Sequence, residues 1–440
     1  MKSFFTSFFA AILALFVFSI VGVMLLIGLG SAFSSDEPEA VASNAVLVID
    51  LADNFTEKEV SDPFSELLNQ GSGKVPSLTT VIGLIQHAKK DSNIKGIYIK
   101  CQQNSNGYAS SEELRKALVE FKKSNKFIFA YGETISQKGY WVGNVANGIY
   151  THPQGGLEFS GFSLETVFLK GMLDKLDVEM QVFYAGKFKS ATEPFRYDKM
   201  SDANRQQLET FISDIWSTMC QRISVQRTVS QETLDLAASE LRYFNSSKAV
   251  EDGLLNGLIY KDELELKLKE RLQANWNEGN SLADESISFQ DYKAELITDQ
   301  LLNAGNQQVA VVYAVGAIES GKGNDQTIGS ERISKAIREA RENPNVKAVV
   351  LRVNSPGGSA LASDVIWRET QLLKQSGKPF VVSMGDYAAS GGYYIACGAD
   401  RIFALPNTIT GSIGVFGVIP NLQKFFENKF GNVKNVSYIT

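Results

Sequence analysis

The sequence predicts an α/β protein built by tandem duplication of one unit, preceded by an N-terminal apolar segment. Short apolar segments typical of buried strands alternate with segments of helical periodicity, the pattern of an α/β fold. This order returns in the second half, where seven of the 32 residues in 131–162 are identical to the residue 253 positions later. Identities at one constant shift indicate a repeated unit. With 440 residues, 44% of them hydrophobic, the chain can form the cores of two or more domains.

The N-terminal segment, residues 1–35, predicts a transmembrane helix that anchors the protein. After Lys2, an almost wholly apolar run without any charged side chain extends from Phe4 to Ser35. A membrane-spanning helix needs about 20 such residues, whereas the apolar core of a signal peptide has about 7–15. The Gly-Ser-Ala at 30–32 leaves a cleaved signal peptide as the alternative. We expect residues 4–33 to contact membrane lipid, and the rest of the chain to be exported.

The first repeat is predicted over residues 46–260, after a polar linker at 36–45. Its elements alternate in the order strand, helix, strand, helix, strand. In chain order these five elements are predicted at 46–51, 78–90, 94–100, 111–124 and 127–131. Farther along, Ser201 is predicted to cap a helix whose apolar positions include Leu208.

The second repeat is predicted over residues 306–440, after a helical connector at 261–305. Its apolar segments follow the order of the first repeat and predict strands at 309–315, 345–352 and 379–383. At the shift of 253 positions, Thr440 aligns with Lys187, and the strand-like residues 436–439 have no element after them. We therefore expect the second repeat to be incomplete at its C-terminus.

Ser390 is the candidate nucleophile of the second repeat. It lies in the motif Ala-Ala-Ser-Gly-Gly-Tyr-Tyr, between an apolar run that predicts a strand and a run of small residues that predicts a helix. A serine at such a turn presents its hydroxyl at a helix N-terminus with little steric cover. The aligned positions of the first repeat hold Gln137 and Lys138. The candidate motif therefore occurs in one repeat only.

The base that would activate this serine is predicted to be a lysine or a carboxylate. A serine is a weak nucleophile without a base. The chain has only two histidines, His87 and His152, and neither lies in a motif of a zinc hydrolase or a catalytic triad. Lys189 lies among small and aromatic residues that are compatible with burial, and burial favours the neutral amine. The nearby Lys187 is a rival candidate.

Glycines that follow a predicted strand could supply the hydrogen-bond donors that acyl transfer needs for its oxyanion. Gly357 and Gly358 lie between the strand that ends near Arg352 and a helical pattern, so their N–H groups can face a helix N-terminus. Gly391, next to Ser390, would be the second donor. A plain tight turn is the alternative interpretation of the glycine pair.

Four motifs together resemble the signal peptide peptidase A family in its long, duplicated form. They are Lys-Ser-Ala-Thr-Glu-Pro-Phe, Ser-Pro-Gly-Gly-Ser, Ala-Ala-Ser-Gly-Gly-Tyr-Tyr and Thr-Gly-Ser-Ile-Gly-Val-Phe-Gly. The family consists of membrane-anchored bacterial serine proteases that share their fold with Clp protease and the enoyl-CoA hydratases, or crotonases. The resemblance implies two crotonase-like repeats and an endopeptidase with a Ser-Lys dyad.

The resemblance also implies roles for individual residues. Ser390 matches the nucleophile, and Lys189 matches the general base, since it directly precedes Ser-Ala-Thr-Glu-Pro and Lys187 does not. Ser412 matches a serine that hydrogen-bonds the lysine amine. Glu193 is expected to be a structural acceptor rather than a catalytic acid. Gly358 and Gly391 match the residues that donate to the oxyanion, and Gly357 is an equal candidate beside Gly358.

The resemblance further implies the partners and the location of the protein. The substrates would be peptides, namely cleaved signal peptides left in the membrane and other unfolded peptides, without a metal ion or cofactor. The family assembles into tetramers, so a homo-oligomer is expected. The location implied is the bacterial inner membrane, with one membrane pass and the catalytic body on the periplasmic side.

Two other functions stay open at this point. A crotonase-type acyl-CoA enzyme would share the fold and the oxyanion donors, although an exported body would not meet cytosolic acyl-CoA. A catalytically silent membrane scaffold would share the fold alone. The net charge of −6 gives no basic surface for nucleic acid. The three cysteines, Cys101, Cys220 and Cys397, have neither metal-ligand spacing nor an even count for disulfides.

Overall fold

The structure is a computed structural model that describes residues 7–19, 21–22, 44–58, 75–272, 286–289, 292 and 307–431. By its internal contacts the chain divides into an N-terminal unit, Met1–Val41, and a body, Ala42–Thr440. Residues 7–19 of the N-terminal unit are helical with exposed side chains. Within the described ranges, none of the helices combines the length and the apolar character needed to cross a membrane. Most of the anchor predicted over 1–35 lies outside the described residues.

The strands of the body fall into two groups, one in each half of the chain. The first group is β1 Ala45–Asp50, β2 Ile94–Lys100, β3 Phe127–Gly132, β4 Gly148–Thr151, β5 Glu179–Tyr184, β6 Gly257–Leu258 and β7 Ser286–Ser288. The second group is β8 Gln308–Val315, β9 Ala317–Glu319, β10 Thr327–Gly329, β11 Val346–Ser355, β12 Phe380–Ala389, β13 Arg401–Phe403, β14 Ile409–Gly411 and β15 Phe416–Asn421.

Helices connect these strands. The first half contains α1 Leu78–Lys90, α2 Tyr108–Lys122, α3 Gln137–Gly143, α4 Lys170–Lys175, α5 Glu193–Arg196, α6 Asp202–Arg227, α7 Gln231–Ser239, α8 Ser246–Glu251 and α9 Lys261–Leu272. Short 3₁₀ turns cover Ser190–Thr192 and Arg242–Phe244. The second half contains α10 Ser330–Glu342, α11 Ala360–Gln375, α12 Gly391–Ala396 and α13 Gln423–Phe430.

Each half contains one parallel sheet, and the two sheets have the same internal order. The first sheet runs β6-β4-β3-β2-β1-β7, and the second runs β13-β12-β11-β8, with β14 also paired to β12. The strands within each sheet are parallel, as expected for strands joined by helices. In chain order, β1 to β4 therefore correspond to β8, β11, β12 and β13.

The structure differs from the predicted elements at three places. Helix α2 begins at Tyr108 rather than 111, and β12 continues to Ala389 rather than ending at 383. The strand is longer because β14 supplies a partner for Tyr387, Ala388 and Ala389. The connector predicted as helical over 261–305 also contains strand β7, which pairs with β1 at the edge of the first sheet. The strand predicted at 436–439 lies outside the described residues.

A two-stranded antiparallel ribbon joins the two halves. Strand β5 of the first half pairs with β15 of the second, with Tyr184 opposite Phe416 and Glu179 opposite Asn421. An isolated ribbon of this size is only marginally stable in water. Many of its side chains are nevertheless exposed, including Phe183, Tyr184 and Ile419.

Separate apolar cores support the two sheets. In the second half, side chains from β11 and β12 pack against α10 and α11, with Leu351, Val382 and Ile366 fully buried. In the first half, one face of the sheet packs against α9 through Leu264 and Leu268. Each sheet is therefore supported by packing against helices, and Ser390 follows directly after one of the supported strands, β12.

Candidate active site

Ser390 lies at a sharp turn between β12 and α12. Its backbone has φ 55° and ψ −117°, a conformation that a residue with a side chain rarely adopts. The turn is held on one side by β14, because the Ser390 N–H donates to the Gly411 carbonyl over 2.8 Å. Strain of this kind persists only where the surroundings fix it, and it places the Ser390 hydroxyl at the start of the helix.

Lys189 reaches this serine from the other half of the chain. It follows β5 through a turn in which its N–H donates to the Gly186 carbonyl. Its Nζ lies 3.0 Å from Ser390 Oγ, although 201 residues separate the two in sequence. The lysine is only 4% exposed. The two residues predicted from sequence as base and nucleophile thus lie within hydrogen-bonding distance.

Ser412 contacts the same amine with two oxygen atoms. Lys189 Nζ lies 3.1 Å from Ser412 Oγ and 2.6 Å from the Ser412 carbonyl oxygen. A neutral amine has two N–H donors and one lone pair. If the donors point at the two oxygens of Ser412, the lone pair faces the Ser390 hydroxyl. The geometry therefore suits a lysine that accepts a proton from Ser390.

The electrostatic surroundings favour the neutral form of this lysine. Burial lowers the pKa of Lys189 from its ordinary value. Among the described ion pairs, none joins a carboxylate to Lys189, so no close negative charge restores its proton affinity. The rival Lys187 is exposed, and its Nζ lies 5.6 Å from the centre of the Phe188 ring.

Glu193 anchors the lysine segment to the start of α6. Its carboxylate accepts hydrogen bonds from Ser201 N–H, Ser201 Oγ and Asn204 Nδ2. Ser201 is also the residue that caps α6, because its Oγ accepts from the Asn204 N–H. The interpretation of Glu193 as a structural acceptor agrees with these contacts. The residue fixes the short segment that carries Lys189.

The predicted oxyanion glycines lie beside Ser390 and differ in what their N–H groups do. The Gly357 N–H donates to Ser355 Oγ over 3.1 Å, so it is already used. Ile318 pairs with this loop through two backbone hydrogen bonds: its N–H donates to the Gly357 carbonyl, and its carbonyl accepts from the Ser359 N–H. The Gly358 N–H takes no part in this pairing. Gly391 is the first residue of α12, and the first N–H groups of a helix have no partner within it. Gly358 and Gly391 are thus the two available donors.

Gly357 contributes space instead. It has φ +99°, and a Cβ there would lie 2.7 Å from Gly391 N and 2.8 Å from Ser390 Cβ. A larger residue would separate the oxyanion loop from the serine. This close approach requires glycine. Sequence analysis identified the pair but could not distinguish the donor from the residue that makes room for it.

A cavity of about 450 Å³ opens next to Ser390 and is lined mainly by apolar groups. One wall is formed by α12 and the start of α11, and the other by the chain between β14 and β15. Tyr394 is held in this wall because its hydroxyl donates to Asp364 Oδ1. The apolar side chains of the lining are Ala360, Tyr393, Tyr394, Ile413, Val415 and Phe416.

In the first half of the chain, a glutamine occupies the position that aligns with Ser390. Gln137, aligned with Ser390, accepts hydrogen bonds from the N–H groups of Ser160 and Gly161 and donates to the Gly161 carbonyl. Its side chain therefore ties down the loop that corresponds to the lining of the cavity. The two histidines lie elsewhere, with the ring of His152 against Tyr260 and the ring of His87 against Tyr292.

Sequence reasoning missed several groups that hydrogen-bond the candidate site residues or the backbone next to them. Ser355 accepts the Gly357 N–H, and Thr410 donates to the Ala388 carbonyl two residues before Ser390. The Ser412 carbonyl, which is nearer to Lys189 than the predicted hydroxyl, also went unnoticed. A backbone acceptor leaves no signal in the side-chain sequence. Ser355, a polar residue at the end of a buried strand, could have been noticed.

Comparison with known proteins identifies relatives over most of the chain. The family model described as peptidase family S49 matches residues 120–275 and 372–434. "Protease 4" from Salmonella typhi is 34% identical over 430 residues, which cover 93% of this chain and 67% of the relative. "Serine protease SPPA, chloroplastic" from Arabidopsis thaliana is 33% identical over 386 residues, which cover 86% of this chain and 55% of the relative. The chain thus spans about two thirds or less of the length of these relatives.

A solved structure of a 1510-N membrane-bound stomatin-specific protease in complex with a substrate peptide is also similar. It is 11% identical, and the alignment covers 59% of this chain and 99% of that chain with a TM-score of 0.30.

Proposed function

The chain belongs to peptidase family S49 and is a serine protease, and we propose that Ser390 and Lys189 form its catalytic dyad. The observation that carries the proposal is the 3.0 Å distance between Ser390 Oγ and the Nζ of a buried lysine. The relatives are proteases by name, which gives no support to an acyl-CoA enzyme or a silent scaffold.

The geometry gives each residue a step in peptide hydrolysis. Neutral Lys189 takes the proton of Ser390 as Oγ attacks the carbonyl carbon of the scissile peptide bond. The N–H groups of Gly358 and Gly391 donate to the resulting oxyanion. The protonated lysine then gives its proton to the leaving amine, and an acyl-enzyme remains. In the second half of the reaction, Lys189 takes a proton from water, the hydroxide attacks the ester, and the proton returns to Ser390 Oγ.

Covalent labelling with a fluorophosphonate tests the dyad directly. We expect the probe to label Ser390, and we expect Ser390→Ala and Lys189→Ala to abolish labelling and peptide hydrolysis. Lys187→Ala is the matched control, since Lys187 lies two residues from the base but is exposed. Labelling of another residue, or full hydrolysis by Lys189→Ala, would refute the assignment.

For the substrate, we propose peptides with apolar side chains, namely cleaved signal peptides and other unfolded peptides. The apolar lining of the cavity beside Ser390 supports this class, because a signal peptide has an apolar core of about 7–15 residues. Peptides that differ only in the residue before the scissile bond provide the test. Leucine or phenylalanine there should give a higher kcat/KM than aspartate or lysine, and the reverse order would contradict the proposal.

For the location, we propose a single N-terminal membrane anchor in the bacterial inner membrane, with the body on the periplasmic side. The uncharged apolar run from Phe4 to Ser35 supports it. The anchored protein should remain in the membrane pellet after alkaline carbonate extraction. In spheroplasts, added protease should degrade the body. Release by carbonate would contradict the anchor, and protection from protease would contradict the topology.

For the assembly, we propose a homo-oligomer of crotonase-like units, with a tetramer as the expected form. The exposed apolar side chains on the β5–β15 ribbon, including Phe183 and Ile419, support a partner on this face. Light scattering on the detergent-solubilised protein should give the mass of an oligomer. Phe183→Glu should lower that mass, and a monomeric wild type would contradict the proposal.

A further inference from the structure

A buried joint between the two halves of the chain lies directly behind the active site. It contains none of the residues assigned to the chemistry. We call it the docking joint. Its members from the first half are Glu57, Glu113 and the first turn of α2, and its members from the second half are Arg352, Asn354 and Asp386.

Asp386 of the second half caps helix α2 of the first half. Its Oδ1 accepts from the N–H groups of Ala109 and Ser110 over 2.8 and 3.0 Å, and its Oδ2 accepts from Ser110 Oγ over 2.6 Å. These N–H groups belong to the first turn of a helix, which has no acceptors of its own for them. The negative charge also lies at the positive end of the helix dipole. The contact is therefore a helix cap supplied across the boundary between the halves.

The sequence of the first half is adapted to receive this carboxylate. The residue in the capping position of α2 is Gly107, which provides no side-chain hydrogen bond. A Cβ on Gly107 would lie 2.1–2.3 Å from the carboxylate atoms of Asp386. A helix start with its own Ser or Asp cap would compete for the same N–H groups. The glycine leaves both the space and the donors to Asp386.

On the other side of the contact, Asp386 lies in an irregular part of β12. The pairing of β12 with β11 is interrupted between Val353, which pairs with Met384, and Ser355, which pairs with Ala388. Residues 385–387 therefore bulge out of the ladder, and the Tyr387 N–H donates to the Asn354 side chain instead. Bulges change the direction of a strand and are common next to active sites.

The bulge is connected to three parts of the proposed site in the second half of the chain. Ser390 follows Tyr387 by three residues, at the turn directly after β12. Asn354, which holds the bulge, precedes the oxyanion loop, and its Nδ2 donates to Glu57. Thr408 donates to the Gly385 carbonyl over 2.9 Å and precedes β14, after which Ser412 follows. A shift of the bulge would move the nucleophile relative to the lysine.

We propose that Asp386 is a positioning residue, which caps α2 of the first half and thereby directs Ser390 Oγ at Lys189 Nζ. This inference rests on the proposed dyad. Because Asp386 lines no part of the cavity, its loss should leave substrate binding intact and reduce the chemical step. A misplacement of about 1 Å can cost about 100-fold in rate.

The test compares full-length variants by fluorophosphonate labelling and by peptide hydrolysis. We expect Asp386→Ala to lower the labelling rate constant and kcat by about tenfold or more, with KM within about twofold. Asp386→Asn should keep most of the rate, because asparagine also caps helices well. Gly107→Ala, a change in the first half, should reproduce the loss by displacing the carboxylate. If Asp386→Ala fails to fold, the labelling rates of Asp386→Asn and Gly107→Ala still test whether Asp386 positions Ser390.

Ser230→Ala is the matched control, because Ser230 caps α7 of the first half far from the joint. It should lower the melting temperature to a similar extent and leave labelling and kcat unchanged. Labelling of Asp386→Ala at the wild-type rate, or a loss confined to KM, would overturn the inference. A wild type that is not labelled at Ser390 would instead refute the proposed dyad.

Discussion

At the scale of single residues, the proposed mechanism depends most on Lys189, because it must be neutral to act as a base. Burial, rather than a neighbouring charge, shifts its pKa towards the neutral form. Lys189 is 4% exposed, and burial lowers its pKa. Its hydrogen-bond partners are neutral oxygens of Ser412 and Ser390. Neutral partners orient the amine without favouring its charged form as a carboxylate would. Burial and neutral partners therefore both favour the neutral form of this amine over its charged form.

The first prediction concerns the pH dependence of catalysis. The neutral amine is the active form, so kcat/KM should rise as the pH increases through the folded-state pKa of Lys189 and level off above it. Because burial lowers this pKa, the midpoint should lie below ~10.4, the value of a free lysine. Lys187→Ala should leave the profile unchanged. A midpoint at or above the free value would contradict the role of burial.

The second prediction concerns Ser412, which offers the lysine both a hydroxyl and a carbonyl. Ser412→Ala removes the hydroxyl and keeps the carbonyl contact, so a single hydrogen bond worth about 1 kcal/mol is lost. We expect kcat to fall about fivefold rather than to vanish. Ser412→Gly is a useful companion, since Ser412 has φ 49° and glycine adopts this conformation freely. Complete inactivation of both variants would show that the hydroxyl has a larger role.

Sequence reasoning singled out Ser390 and Lys189, which the structure places within hydrogen-bonding distance, because both lie in conspicuous motifs. The glycines after Ser390 and the scarcity of histidine narrowed the choice of nucleophile and base. The choice of Lys189 over Lys187, and the role of Ser412, came from the family resemblance alone. The conformation of Ser390 could not be predicted, since it is imposed by Gly411 on another strand and by the bulge in β12.

At the scale of elements, two strand pairings bring the residues of the proposed dyad together. The end of β12 pairs with β14, which brings Ser412 beside Ser390. The next strand, β15, pairs with β5, and β5 leads to Lys189. The parallel strands in the centre of each sheet were predictable from their apolar runs. Strands β5 and β15 were not, because they are largely exposed and exist through pairing between distant segments.

The third prediction concerns the anchor of the lysine segment on α6. Glu193→Ala would leave donors on Ser201 and Asn204 without their acceptor, and hydrogen bonds to a charged group contribute about 1.5–3 kcal/mol. We expect a loss of about 3 kcal/mol in unfolding free energy and slower labelling of Ser390, measured by urea denaturation and with the fluorophosphonate.

Glu209→Ala is its control on the same helix. Glu209 forms an exposed pair with Arg205, and such pairs contribute about 0–1 kcal/mol. The unfolding free energy of Glu209→Ala and its rate of labelling should both remain near those of the wild type. If Glu193→Ala loses stability but labels at the normal rate, the anchor serves the fold and not the position of Lys189.

At the scale of the whole molecule, two of the contacts between the halves of the body in the described residues lie next to the candidate active site. One is the β5–β15 ribbon, which carries the lysine side. The other is the docking joint, in which Arg352 forms hydrogen-bonded ion pairs with Glu57 and Glu113. The proposed nucleophile follows β12 of the second sheet, whereas the proposed base follows β5 of the ribbon. The geometry of the proposed dyad therefore depends on how the halves dock, which no local sequence pattern encodes.

The fourth prediction tests the charges of this joint. Arg352→Met would leave Glu57 and Glu113 without the cation that compensates them, and breaking such a buried pair costs about 3–5 kcal/mol. Already in the wild type, burial raises the pKa of Glu113 despite Arg352. Without the arginine, nothing offsets this burial, so the folded-state pKa of the Glu113 carboxyl should lie above the unfolded value of about 4.3.

The direction in which pH changes the stability of Arg352→Met follows from this raised pKa. A raised folded-state pKa means that the folded variant binds more protons than the unfolded chain, so its stability increases as the pH falls through that pKa. The loss relative to the wild type should therefore be largest near pH 8 and smaller near pH 5, as measured by urea denaturation. Arg338→Met is the control, because its partner Glu369 keeps a second arginine, Arg341. An equal loss at both pH values would mean that packing, and not the buried charges, holds the halves together.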